Sequence, residues 1–148
     1  MARDATGDLR DGEYRALADL RFELRRFLAF SEAAAREAGI EPQQHQLLLV
    51  LKALDRDIRP TVRAVAERLL IQHNSAVELV KRCAERGFVE RRAGEEDRRE
   101  VSLHLTPAGE RVLRRLSLAH RSELRSAAPS LAKALEELLD GGEKKRRE

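Results

Sequence analysis

The 148-residue chain has a single cysteine, Cys83, no tryptophan and only 3% aromatic residues. One cysteine excludes a disulfide framework within the chain and favours a reducing compartment. No stretch approaches the roughly 18 apolar residues of a membrane span. No apolar run follows the first basic residue, so a secretory leader is not expected. A cytoplasmic protein with no membrane partner is the resulting expectation. An excess of one charge is also missing: 29 basic and 26 acidic side chains leave a net charge of +3. That is too little to indicate a polyanionic partner unless the basic groups gather on one face. No nucleophile–base pair, glycine-rich phosphate loop or paired-carboxylate site stands at a persuasive spacing. The four histidines, His45, His73, His104 and His120, lack metal-ligand spacing. The chain is therefore expected not to be an enzyme and to carry no cofactor.

What is present is helix. Leu, Ala, Glu and Arg dominate, and charged residues make up 37% of the chain. A chain of this length buries roughly two-thirds of its unfolded surface without disulfide or metal. Residues 1–12 are polar with two glycines and read as a loose tail. From 13 to 38 the pattern is helical. Leu17, Leu20, Leu24, Phe27, Leu28 and Ser31 form one stripe, and Tyr14, Ala18, Phe22, Ala29 and Ala33 a second. A helix of that span is about 39 Å long. It carries more apolar circumference than a small domain needs, so a partner chain is the natural cover.

Gly39 ends this helix and Pro42 opens another, carrying His45, Leu48, Leu49 and Leu51 to about Leu54. Thr61 is the expected N-cap of a short third helix with Val62, Val65, Ala66 and Leu69 inward. Residues 70–74 read as a turn. A fourth helix follows to about Arg86, with Val77, Val80 and Ala84 on its inner face and Gly87 as its stop. The period then changes to two. Residues 88–91 and 101–105 read as strands around a charged loop containing Gly94. Thr106 and Pro107 restart a helix to about Ala127, and Pro129 is expected to break it and open a last helix. Residues 141–148 form a charged tail. Its Lys144, Lys145, Arg146 and Arg147 could add a nonspecific phosphate contact.

The order is helix, helix, short helix, turn, helix, hairpin, long helix, helix. Its middle, 42–105, is a winged helix-turn-helix. The major groove is about 12 Å wide and admits one α-helix. A second helix packed across it fixes the docking angle, and a hairpin can reach an adjacent minor groove, where arginine reads width and potential. The outward face of the fourth helix carries Asn74, Ser75, Glu78, Lys81 and Arg82, with Gln72 and His73 at its leading edge. Asn and Gln pair with adenine, Arg with guanine, and Glu accepts from cytosine. The alternative is a polar face in water. Residues 59–99 hold 10 basic and 7 acidic side chains. Weak nonspecific binding and reliance on dimeric register follow from so small an excess.

The segment DRREVSLHLTPAG, residues 97–109, resembles the wing of the MarR family of bacterial regulators. The family pattern is Asp-x-Arg, five residues, Leu-Thr, two residues, Gly. Asp97, Arg99, Leu105, Thr106 and Gly109 supply it in register. Residues 62–92 are similar to the family's helix-turn-helix, and the likeness extends over about 13–140. It implies a mainly α protein with a small β-wing. Helices 13–38 and 107–140 would form a dimerisation lobe within a single domain, 13–140. It implies that Arg99 enters the minor groove with Asp97 orienting it, and Arg98 beside it as a phosphate or groove contact. The alternative is a solvated charged turn.

The family's partners are double-stranded DNA, a second copy of the chain and, in many members, a small-molecule effector in a cleft. His45 sits where the family often has an aromatic near that cleft, though a packed histidine is the plainer reading. Cys83 occupies the place of a buried leucine. Core packing is its plain reading and redox sensing the alternative. The expected function is a homodimeric repressor recognising a near-palindromic operator, released by a ligand. Half-sites about one turn, roughly 10 base pairs, apart are expected. The rivals are a protein–protein interaction module on the same scaffold and a redox-responsive regulator using Cys83.

Overall fold

The computed structural model describes residues 9–140. The element order is α1 (Asp11–Glu37), α2 (Pro42–Ala53), α3 (Val62–Leu69), α4 (His73–Glu85), β1 (Val89–Ala93), β2 (Val101–Leu105) and α5 (Pro107–Asp140). It is mainly helical, with one two-stranded antiparallel sheet. The chain divides into two compact units: Ser31–His120, and a second drawn from the residues before and after that span. Helices α1 and α5 each contribute to both.

Local chemistry sets the helix boundaries. α1 stops where Gly39 takes φ +79°. There the Gly39 amide donates to the Arg36 carbonyl (3.0 Å) and the Ile40 amide to the Ala35 carbonyl (3.1 Å). This pair of bonds satisfies carbonyls that would otherwise be orphaned. Gly87 ends α4 the same way: its amide donates to Ala84, and that of Phe88 to Cys83. Thr61 caps α3 by accepting from the Ala64 amide at 3.2 Å.

The end of α3 uses the same two bonds, but the left-handed residue is Leu70, at φ 56° and ψ 40°. A β-carbon in this region costs about 1–2 kcal/mol. Leu70 is also 92% exposed, so packing returns nothing. Leu70→Gly is therefore expected to stabilise the chain by about 0.5–1 kcal/mol after the added entropy of the unfolded glycine. The check is the urea midpoint at unchanged slope; a midpoint that falls would show that the strain is absent.

The Ser31–His120 unit has one apolar core. Leu47 and Leu48 from α2 meet Val65 from α3, then Ala76, Leu79, Val80 and Cys83 from α4. Val89 and Leu103 close it from the sheet, and Leu113 and Leu116 from α5. The hairpin register runs Val89↔Leu105, Arg91↔Leu103, Ala93↔Val101. In the second unit Ala16 and Ala134 are buried, while Tyr14, Leu17, Phe22, Leu24, Leu28, Leu135 and Leu139 remain exposed.

Several expectations change. Asp11 and Gly12, read as tail, open α1. The expected tails at 1–8 and 141–148, with Lys144, Lys145, Arg146 and Arg147, lie outside the described residues. The turn before α4 is shorter than 70–74, because His73 and Asn74 are already helical. β1 starts one residue later and runs two further than expected. Val77, expected inward, is exposed and Ala76 takes the core position; on α2, Leu47 and Leu48 are buried and Leu49 is exposed.

Pro129 does not divide the last helix; α5 runs unbroken through it. Ala127, Leu131, Ala134 and Leu138 lie on one face at steps of four, three and four, each at least half-buried. Packing along that stripe outweighs the lost amide. Pro129 itself is exposed, so the gap in the hydrogen-bond ladder opens on water.

Candidate nucleic-acid interface

The wing tip is built by short-range bonds. Gly94 and Glu100 close the loop, amide to carbonyl, at 2.6 Å, and the Glu100 amide donates to the Asp97 carbonyl at 3.1 Å. Asp97 Oδ1 accepts from the Arg99 amide at 3.0 Å and from Arg99 Nε at 3.3 Å. An aspartate that bonds the backbone two residues on is a common turn device. Here it also aims the arginine side chain. The Arg99 side chain is nevertheless 93% exposed, so its two terminal nitrogens face outward. Arg98 is exposed beside it.

The wing is braced from below by residues the sequence reading passed over. Arg59 Nη2 donates to Glu100 Oε2 at 2.6 Å. Arg59 holds the Glu100 carboxyl below its usual range, and Glu100 holds the guanidinium charged. The Leu103 amide donates to the Pro60 carbonyl at 2.7 Å, tying the α2–α3 loop to β2. Thr106 is a hinge pin. Its hydroxyl donates to the Gly87 carbonyl at 2.6 Å and accepts from the Gly109 amide at 3.1 Å. Ser102 and His104 are half-buried and bond one another at 2.9 Å.

Helix α4 presents the second set. Gln72 is its N-cap residue, without a side-chain cap bond. The first-turn amides of α4 are thus open to an anion. His73, Asn74, Ser75, Glu78 and Lys81 are exposed. Val77 joins them at 39% exposure; its one-place shift from the buried Ala76 could not be read from an apolar pattern that accepts either residue. Arg82 differs from its neighbours. It is half-buried, and its Nε lies 3.4 Å from Glu41 Oε2 at the start of α2. The structure thus brings Asp97 and Arg99 together, groups Gln72 to Lys81 on one helix face, and turns Arg82 to Glu41.

Residues 38–100 match the sequence profile of the MarR family. That segment contains α2 to β1 and the wing tip. The likeness in fold extends further than the MarR segment itself. AbsC of Streptomyces coelicolor, a MarR family transcriptional regulator, superposes with a TM-score of 0.69 at 20% identity, over 97% of this chain and 100% of that one. MepR of S. aureus in a DNA complex gives 0.66 at 14% identity, over 94% and 97%. CouR of Rhodococcus jostii, bound to p-coumaroyl-CoA, gives 0.59 at 22% identity, over 74% and 78%. A search of curated proteins returns no match. The mainly helical fold with its two-stranded wing is that of MarR proteins.

The remaining MarR-related expectations concern Cys83 and His45. Cys83 is fully buried in the core. Burial pushes its thiol up to about 12, although the nearby Arg82 pulls the other way. A thiolate is thereby disfavoured at neutral pH. His45 is also buried, with its ring centroid 4.9 Å from that of His120 at a tilt of 49°. His120 Nδ1 lies 2.6 Å from the Leu116 carbonyl and so carries the hydrogen. Its Nε2 lies 2.7 Å from Ser31 Oγ.

Burial first, and the charge of His120 second, lower His45 from 6.5 to about 4. His45 is neutral in the fold but takes a proton in the unfolded chain near 6.5. Its stability contribution is therefore complete above pH 6.5 and is lost as pH falls toward about 4. The loss is expected at up to about 1.4 kcal/mol per pH unit from this one group. Urea titrations of wild type and His45→Gln across that window give the difference, which should shrink as pH falls. A constant difference would mean that His45 titrates alike in both states.

Proposed function

We propose that the chain is a sequence-specific DNA-binding transcription regulator that acts without enzymatic chemistry, as a homodimer. The observation that carries this reading is the wing tip. Arg99 is held by Asp97 through two bonds to one oxygen, yet stands almost wholly in solvent. A preoriented, exposed arginine on a hairpin suits the narrow, negative minor groove. Arg98 supplies a neighbouring phosphate contact. Gln72, His73, Asn74, Ser75, Glu78 and Lys81 would lie in the adjoining major groove. The exposed Val77 adds an apolar contact of the kind made with a thymine methyl. MepR, a structural neighbour, is held in a complex with DNA.

A second copy would cover the exposed Tyr14, Phe22, Leu24 and Leu28 of α1 and Leu135 and Leu139 of α5. Two-fold symmetry then implies a near-palindromic site. Repression by occupying a promoter is the simplest use of such a dimer. A small-molecule effector would tune it by favouring one spacing of the two recognition helices. The neighbour CouR binds p-coumaroyl-CoA. Cys83 is not the switch in this reading, since its thiol is buried and held protonated.

Selection of genomic fragments by the purified protein at moderate salt tests the proposal. Enrichment of a near-palindromic sequence supports it. Failure to enrich any sequence, even at low salt, overturns it in favour of a winged helix that docks another protein.

A further inference from the structure

The recognition helix α4 is gripped from one side by a four-residue link. Residues 38–41 join α1 to α2. Two arginines one turn apart, Arg82 on α4 and Arg86 at its C-cap, reach this link. Arg82 Nε faces Glu41 Oε2 at 3.4 Å, and Arg86 Nη2 donates to the Gly39 carbonyl at 2.5 Å. Arg86 also lies over the Phe88 ring, 5.2 Å from its centroid.

The link is itself rigid. Gly39 and Ile40 close the end of α1 by two backbone bonds, and Ile40 is buried. The Glu41 amide donates to the Gln44 side chain at 3.2 Å, and Gln44 is buried at 1% exposure. The carboxylate of Glu41 therefore projects from a fixed backbone. Arg82 Nε is inaccessible to water and makes no well-aligned hydrogen bond, so the Glu41 charge is the main compensation for burying it. An arginine reads a guanine edge through two adjacent donors. Arg82 has one edge committed to the protein.

We infer that Glu41 and Arg82 are positioning residues: they set the angle of α4 by pinning its C-terminal half to the α1–α2 link, with Arg82 acting through Glu41. The inference rests on the DNA-binding reading. Glu41 lies outside the residues expected to touch DNA. A register error in α4 is felt at every base contact along it, so a pin at one end controls all of them.

Electrostatics gives the test a sign. Removing the Glu41 charge makes the surface more basic, and by charge alone tightens DNA binding. A positioning role requires the opposite. Affinities are measured by anisotropy on the DNA selected by wild type and on an unrelated duplex. Glu41→Gln is expected to weaken specific binding about fivefold to tenfold, with nonspecific binding unchanged or tighter. Glu41→Arg combined with Arg82→Glu, which restores an ion pair in reverse, is expected to recover specific affinity to within about threefold of wild type. Arg82→Glu alone is not.

Specific binding that is unchanged or tighter in Glu41→Gln overturns the inference and leaves the DNA-binding reading intact. A reversed pair no better than Arg82→Glu, with Glu41→Gln folded and near wild type, assigns Arg82 to the DNA instead. A wild-type protein that selects no sequence removes both.

Discussion

Gly109→Ala is expected to destabilise the winged helix by about 3 kcal/mol or more, at the upper end of overpacking effects. Gly109 lies in the first turn of α5 and is buried against the backbone of Phe88. A β-carbon there would sit far inside van der Waals contact with the Phe88 carbonyl oxygen and 3.1 Å from its carbon. The obstacle is backbone, which cannot rotate away. That carbonyl also accepts the Thr106 amide at 3.1 Å, so moving it breaks a bond as well. Relief would require α5 to shift away from the junction that Thr106 ties together through Gly87 and Gly109. A domain stable by only about 5–15 kcal/mol cannot absorb that without a large change. Urea denaturation gives the answer directly. A midpoint within experimental error of wild type would show that the junction is looser than described.

Arg99→Ala is expected to reduce affinity for the selected DNA by about 1–3 kcal/mol per wing, and to lower the salt dependence of binding by about one unit per wing. The folded state should be almost untouched. Arg99 is 93% exposed and, among the described residues, bonds Asp97, and an exposed pair of this kind contributes at most about 1 kcal/mol. Binding at two salt concentrations together with a thermal melt separates loss of contact from loss of fold. Wild-type affinity and slope in this variant would remove the wing from the interface. The effect should also fall unevenly across sequences. Minor-groove arginine is favoured by narrow A·T-rich steps, so discrimination is expected to weaken there first.

How far these features were legible depends on the distance over which they act. The caps at Thr61 and Gly39, the stop at Gly87 and the Asp97–Arg99 turn all operate within five residues of chain. Propensity, period and capping chemistry work at that range, and so the elements and the wing arginine could be read. Exposure along α4 was only partly legible. Ala76 and Val77 are adjacent and both apolar, and the register that buries one and exposes the other is set by α2 and α3. Pro129 misled for the same reason. Its local cost is real, but the apolar stripe from Ala127 to Leu138 that outweighs it draws its strength from burial against other parts of the chain.

The roles of Arg82 and Glu41 show the limit most plainly. On α4 alone Arg82 is one more basic residue on an outward face. Only the fold places Glu41 beside it, 3.4 Å from its Nε. Arg59 and Glu100, 41 positions apart, brace the wing in the same unforeseeable way. The sequence by itself determined the order of helices and strands, their ends and the turn that presents Arg99, because each depends on neighbours a few residues away. Tertiary structure alone decided which arginines are free and which are tied, that Ser31, His45 and His120 share one cluster, and that position 109 tolerates no side chain. Each of those outcomes requires atoms distant in the chain to be brought within a few ångströms, and no local pattern specifies that.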